Sequence, residues 1–326
     1  MTTRIEDLWK EALQYVRDHP LAPNGFRLLR IDPEASFDVY AGIDASSFVI
    51  LAIGVHLRPP NVELESSSLD YFRQQRQDGS WLMALRLRQL GLEPVFGRLC
   101  QDLVDTANGV GDEKELISLF RDRLNLWRRL FLQGANGLLQ IYQIKGLVAE
   151  LLVLEDMLKD GKRGQAEIVI GWKGPIRGEQ DFLFSDLAIE VKAIGPGVDA
   201  VSISSLNQLD ASVPMSLLVM VLRQASPGEH GAISLNGLVT RIEEFIVPNP
   251  EVLRHFRERL LEAGYVEHEF YDTVLFEDMS WSTFYVRRDF PRLVPNVVPA
   301  GIESASYAIT LDSIGAFKVE GGENAE

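Results

Sequence analysis

Between Gln180 and Ala193 the chain reads "QDFLFSDLAIEVKA", and the parity of this run constrains the fold more than any other stretch. Two short apolar segments flank Ser185 and Asp186, a pattern that predicts a hairpin with a two-residue turn. In that register Phe184 opposes Leu187, Leu183 opposes Ala188 and Asp181 opposes Glu190. Strand side chains alternate between faces. Phe182, Phe184, Leu187, Ile189 and Val191 therefore share one face, the expected core face, and Asp181, Glu190 and Lys192 share the other.

Opposed Cβ atoms on paired strands lie about 4.5 to 5.5 Å apart, and like charges at that distance destabilise the pair. A cation between Asp181 and Glu190 would remove the penalty. Mg2+ suits such a place, because it takes one or two protein carboxylates and completes its shell with water and phosphate oxygens. Lys192, two residues beyond Glu190, could hold an attacking water or neutralise charge developing on a phosphate. The solvated outer face of an ordinary hairpin is the alternative, and these three residues alone leave both readings open.

Upstream lies "GLVAELLVLEDML". Glu150 has Gly146, Leu147, Val153, Leu154 and Met157 at helical spacings of three, four and seven, so its carboxylate falls within an apolar face. A half-buried acid requires a partner, and a metal or a lysine at the same site would supply one. Glu155 has a mundane partner in Lys159, four residues on, and is read as structural.

A helix with an acid, an Asp at a strand start, "IEVK" and then the polar "SISSLNQLD" resemble the core of the PD-(D/E)XK nuclease superfamily, the restriction-endonuclease-like fold. More narrowly, "GLVAELLVL", "QDFLFSDLAIEVKA" and "ISSLNQL" in this order resemble a bacterial family of PD-(D/E)XK motif proteins associated with restriction and phage-defence gene clusters. The resemblance covers about Gly146 to Leu209. It implies an α/β fold, a mixed sheet flanked by helices, and a Mg2+ or Mn2+ cofactor. It also implies that Asp181 and Glu190 bind metal, that Lys192 is the catalytic lysine, that Glu150 is the additional helix acid, and that Gln208 is the polar residue from the following helix. Gln180 stands where the motif has proline, and the gap from Asp181 to Glu190 is short.

The superfamily's core order of helix, three meander strands, helix and strand maps onto Gly137 to Lys159, "AEIVIGW", the two hairpin arms, a helix near Ser204 to Ala211, and "SLLVMVL". The last is a continuous apolar run of the kind found in strands buried on both faces.

The rest of the chain divides in two. After a helix at Ile5 to Asp18 come the strand-like segments "FRLLRID", "FDVYAGID", "SFVILAIGV", "VELESSS" and "SWLMALRL", separated by turn residues, which predict a β-rich N-terminal domain over 1–112. From "GDEKELISLFRDRLNLWRRLFLQ" the period turns helical, with Leu116, Leu119, Phe120, Leu124, Trp127 and Leu130 on one face. A nuclease-like domain with a C-terminal extension is expected over 113–326, its core about 137–224. "LNGLVTRIEEFI" and "PEVLRHFRERLLEAG" add two later helices.

Forty-seven acidic against 32 basic residues give a net charge of −15, which argues against coating nucleic acid through bulk positive potential. Contact with DNA or RNA must come from a local basic patch or from a partner subunit. Lys173 and Arg177, in the loop beside the hairpin, are the candidates; Arg121, Arg128, Arg129, Arg287, Arg288 and Arg292 read as solvated surface. Cys100 is the lone cysteine, and the five histidines, at 19, 56, 230, 255 and 268, lack metal-ligand spacing. All six read as structural or surface residues. The longest apolar runs have eight residues, short of the roughly 20 that span a bilayer, and the N-terminus lacks a signal core. A soluble cytoplasmic protein is expected.

The expected activity is that of a Mg2+-dependent DNA endonuclease, or nuclease subunit, of a bacterial restriction or phage-defence system. Asp181, Glu190, the Val191 backbone carbonyl and Glu150 would hold the metal, and Lys192 would orient the attacking water. DNA, other subunits of the same operon and a second copy of the chain are the expected partners. The rival is a nuclease-fold scaffold that binds DNA or protein without cutting.

Overall fold

The computed structural model describes residues 4–319 other than 33, 34, 36, 63–67, 108 and 133–137, and no side chain of 126 or 128–132. It contains two compact units, 1–139 and 140–326.

The first unit begins with α1 (Ile5–Asp18), as expected, and continues through β1 (Phe26–Arg30), β2 (Asp38–Asp44), β3 (Val49–Val55), β4 (Leu69–Gln75), β5 (Trp81–Leu87), α2 (Glu93–Ala107) and α3 (Glu113–Leu132). The strands form an antiparallel sheet in the order β1-β2-β3-β5-β4. Phe26 and Phe72, on opposite edge strands, have ring centroids 5.8 Å apart, so the sheet curls strongly. The strand expected over "VELESSS" lies largely outside the described residues, and the observed β4 follows it. The expected boundary at 112/113 moves to 139/140 because α3 packs into the first unit. Phe120 meets the Tyr71 ring at 6.1 Å, Glu113 accepts hydrogen bonds from the His56 and Leu57 amides, and Leu116, Leu124 and Trp127 are buried. Leu119 is half-buried, and the side chain of Leu130 lies outside the described residues.

The second unit runs α4 (Ile141–Asp160), α5 (Gln165–Gly171), β6 (Phe182–Leu183), β7 (Ala188–Ile194), β8 (Ala200–Ile203), β9 (Met215–Ala225), β10 (Ile233–Ser234), α6 (Leu235–Ile246), α7 (Pro250–Glu262), α8 (Phe270–Thr273), β11 (Leu275–Tyr285) and β12 (Tyr307–Thr310). Its central sheet has the order β10-β11-β9-β7-β6. β7 and β9 are parallel and the other pairs antiparallel, which makes the sheet mixed. β8 and β12 form a separate two-stranded sheet. The nuclease-like core extends past residue 224, since β11 pairs with the whole length of β9.

The fold is therefore α/β, with a restriction-endonuclease-like mixed sheet flanked by helices and a β-rich N-terminal region. Helix α4 is buried nearly all round, at Ile144, Leu147 to Ala149, Leu151 to Glu155 and Leu158, because it packs on β7, β9, α5 and α6. It ends at Gly161, whose φ of 67° is the left-handed conformation that glycine adopts without steric cost.

Two core elements differ from expectation. "AEIVIGW" forms helix α5 rather than a strand: Ile168 and Val169 are buried while Ile170 is exposed, and contact with α4 and α7 outweighs the β propensity of Ile-Val-Ile. Only Trp172 beyond it makes a bridge, to Phe182. The segment near Ser204 to Ala211 is a series of turns, not a helix. Its carbonyls are taken by side chains from elsewhere: Gln180 Nε2 donates to Asn207 O at 2.8 Å, and the Arg292 guanidinium donates to Leu209 O.

Candidate functional site

The hairpin has the expected register, with Phe182 paired to Ile189 and Leu183 to Ala188, and the Phe184 N–H donating to Leu187 O at 2.8 Å. Asp181 stands one step beyond the Phe182–Ile189 pair. Its Oδ2 accepts the Val191 N–H at 2.8 Å, which pins the carboxylate across the strand gap.

The charged face differs from expectation in its burial. Ala188 and Ile194, on the same side as Glu190 and Lys192, join Val201, Ile203, Leu217, Val219 and Phe284 in an apolar cluster. The opposite face, with Ile189, Val191, Leu218 and Met220, is buried too. Glu190 is accordingly 1% exposed, a core position rather than a solvated one.

Among the described residues, Glu190 meets one cation. The Lys192 ammonium lies 2.7 Å from Glu190 Oε1, but as an ion pair without hydrogen-bond geometry: neither Glu190 oxygen has a hydrogen-bond partner among the described residues. Burial, followed by the negative charge of Asp181, pushes the Glu190 carboxyl up to about 8, against the opposing pull of Lys192. Lys192 also approaches Gln208 Oε1, at 3.4 Å, and the same oxygen accepts the Ser204 N–H at 2.6 Å.

Glu150 reaches the site from α4. Trp172 Nε1 donates to its Oε2 at 2.7 Å. Burial first, and then Asp181, raises the Glu150 carboxyl well above the usual range, with Trp172 and Lys192 opposing. Asp181 is raised as well, chiefly by burial. The structure thus brings Glu150, Asp181, Glu190, Lys192 and Gln208 into one electrostatic neighbourhood, three acids to one ammonium.

A residue that pattern reading did not single out lies against two of the acids. A Cβ on Gly174 would lie 2.4 Å from Glu150 Oε2, closer than side-chain carbons approach an oxygen, and a tight 3.1 Å from Asp181 Oδ1. The Gly174 and Lys173 amides both donate to Asp181 O, at 3.0 and 2.7 Å. "WKGP" carries both Trp172 and Gly174, but neither residue type announces a role beside a carboxylate.

Among the other sequence candidates, Lys173 is half-buried, its ammonium pKa lowered by burial and by Arg259. Arg177 is exposed on the loop, with φ of 58°. Arg292 touches the turn that carries Gln208, so it belongs near the site, contrary to its reading as solvated surface. Arg287 lies over the Phe317 ring at 5.2 Å, Arg288 is exposed, and Arg121 is an exposed residue of the first unit, ion-paired with Asp122. The side chains of Arg128 and Arg129 lie outside the described residues. Glu155 takes a bidentate hydrogen bond from Arg241, at 2.9 and 3.1 Å, beside its ion pair with Lys159. Cys100 is buried.

The donor set fits a divalent cation in one respect: a buried carboxylate, ion-paired to Lys192 and without a further polar partner among the described residues, stands in the field of a second carboxylate, and hard oxygen donors are what Mg2+ binds. Among the described residues, however, no three His, Cys, Asp or Glu side chains meet at metal-ligand spacing. Two carboxylates with water and phosphate suffice for Mg2+. Among the described residues, no helix is long and apolar enough to cross a membrane.

Residues 5–312 match a family model described as "Putative PD-(D/E)XK family member, (DUF4420)". No curated protein and no solved structure matches the chain.

Proposed function

The chain belongs to the PD-(D/E)XK family, and on that premise we propose that it is a Mg2+-dependent DNA endonuclease, or the nuclease subunit, of a bacterial restriction or phage-defence system. One observation carries the reading: the Glu190 carboxylate is 1% exposed, without a hydrogen bond among the described residues, and ion-paired to Lys192. Keeping a carboxylate in such a place is costly unless a cation or a proton satisfies it. We assign Asp181, Glu190 and Glu150, with the Val191 carbonyl, as the groups that hold Mg2+ or Mn2+. A divalent ion bound there supplies Lewis acidity toward a phosphate oxygen and acidifies water.

The chain's own residues orient the reaction. Lys192, between Glu190 and Gln208, presents its ammonium to the nucleophilic water or to the charge that develops on the scissile phosphate. Val191 N–H and Trp172 Nε1 fix the Asp181 and Glu150 carboxylates. Arg177 and Lys173, on the adjoining loop, are the proposed phosphate contacts; these would position DNA without reading its sequence. DNA, other subunits of the same operon and a second copy of the chain are the proposed partners, in the cytoplasm.

Cleavage of plasmid or phage DNA with Mg2+ tests the reading, with operon partners supplied. The unmodified chain cuts, and Asp181→Ala and Lys192→Ala do not. Absence of metal-dependent cutting that those substitutions remove rejects it.

A second reading, a nuclease-fold scaffold that binds without cutting, is favoured by the missing third acid at metal-ligand spacing among the described residues. It predicts no thermal response to Mg2+ or Mn2+ that depends on Glu190.

A further inference from the structure

Gln180 occupies the place where the family motif has proline. It is 4% exposed, and its side chain does what proline cannot. Nε2 donates to Asn207 O at 2.8 Å and approaches Asp210 O at 3.5 Å. Beside it Glu179 Oε1 accepts from Asn207 Nδ2 at 3.0 Å. Residues 179 and 180 thus grip the turn 207–210 from the start of the hairpin.

That turn carries Gln208, whose Oε1 approaches Lys192 Nζ and accepts the Ser204 N–H. The expected helix over this stretch is missing, so no helical ladder fixes Gln208 in place. Without a helical ladder the turn draws on other donors for its carbonyls: Asn207 O accepts the Asp210 N–H at 3.0 Å and also the Gln180 side-chain amide.

From this geometry we propose that Gln180 is a positioning residue for Lys192. By tying Asn207 and Asp210 to the strand that begins at Phe182, it sets where Gln208 Oε1 stands, and Gln208 in turn holds the Lys192 ammonium beside Glu190. Gln180 itself meets neither metal nor substrate. The role of Lys192 in chemistry rests on the nuclease reading; the latch is a property of the chain without metal or DNA.

Hydrogen exchange on the full-length, metal-free chain tests it. Gln180→Met keeps length and removes the donor. It should speed exchange of the Ser204 amide at least tenfold and quicken acylation of Lys192 by an amine-modifying reagent, while amides of β9 such as Val219 exchange as before. Gln208→Ala should reproduce both effects. If Ser204 and Lys192 respond to Gln208→Ala but not to Gln180→Met, the proposal is overturned. Should Gln180→Met fail to fold, the unmodified chain decides: the Gln180 side-chain amide protons, selectively labelled, must exchange far more slowly than those of an exposed glutamine such as Gln14, and equal rates overturn the proposal. These readouts use neither DNA nor metal, so a chain that passes them yet never cuts DNA retains the latch and loses the nuclease reading. In a cutting chain, Gln180→Met lowers kcat with little change in KM.

Discussion

The Lys192 ammonium lies 2.7 Å from Glu190 Oε1, the one cation among the described residues that the site sets against Glu150, Asp181 and Glu190. Burial outweighs that single charge, and all three carboxyls are raised, Glu190 to about 8. Proton and metal therefore compete for the same oxygens, which links stability, pH and cation binding.

The pH dependence of the metal-free chain follows. Below the ordinary glutamate range both the folded and unfolded chains hold the Glu190 proton. From there to about 8 the folded chain alone holds it, so stability falls as pH rises through this window. Each tenfold change in proton affinity is about 1.4 kcal/mol, and for a carboxyl coupled to two others the loss attributable to Glu190 is on the order of 3 kcal/mol. Chemical denaturation between pH 5 and pH 8 measures it. Glu190→Gln should flatten the slope and be the more stable chain at the upper end; an unchanged slope contradicts the assignment.

Addition of Mg2+ or Mn2+ should reverse the trend. A ligand that binds only the folded state adds about 2.7 kcal/mol at a hundredfold excess over its Kd, and binding to a protonated carboxyl releases protons. The gain in Tm should be larger at pH 8 than at pH 6 and vanish in Glu190→Ala. Calorimetry in two buffers of different ionisation enthalpy should show net proton release below about pH 8. A Tm that ignores the cation at both pH values supports the scaffold reading.

Gly174→Ala isolates the geometry from the charge. The added carbon would stand 2.4 Å from Glu150 Oε2 and 3.1 Å from Asp181 Oδ1, so one carboxylate must move by the better part of an ångström. Displacements of that size in a catalytic group cost about a hundredfold in rate. The expected outcome is a kcat reduced by roughly that factor with DNA affinity retained, measured by single-turnover cleavage.

These residues also show how far the sequence could be read. The parity of "QDFLFSDLAIEVKA" placed Asp181 against Glu190 and Lys192 because strand alternation is a property of the backbone, and the observed Phe182–Ile189 pairing keeps it. The membership in the PD-(D/E)XK family and the mixed sheet were legible through the resemblance of "GLVAELLVL", "QDFLFSDLAIEVKA" and "ISSLNQL" to that family. The burial of Glu190 was not, since the cluster that covers it draws on Phe284, Phe290 and Ile309, about a hundred residues downstream. Helix α5 escaped because Ile168 and Val169 favour strands in isolation and take their helical state from α4 and α7. The roles of Trp172 and Gly174 depend on Glu150, 22 and 24 positions earlier, a distance no local pattern spans.

Trp172→Phe tests that long-range pair. The substitution keeps an aromatic ring next to Phe256, whose centroid lies 6.0 Å away, and removes the Nε1 donor 2.7 Å from Glu150 Oε2. Because that bond favours the charged form of Glu150, its loss drives the carboxyl further toward protonation. A buried acceptor left without its donor costs about 1 to 3 kcal/mol, the penalty being greatest where the carboxylate must stay ionised. The variant should thus lose more stability at the alkaline end than at the acid end of a series of denaturant titrations, and its affinity for Mn2+ should fall because a protonated Glu150 is a poor ligand. Adding Glu150→Gln to Trp172→Phe should restore most of the stability lost at the alkaline end, since an amide carries no charge for the missing donor to stabilise. A double variant as unstable as Trp172→Phe alone would assign the loss to ring packing instead.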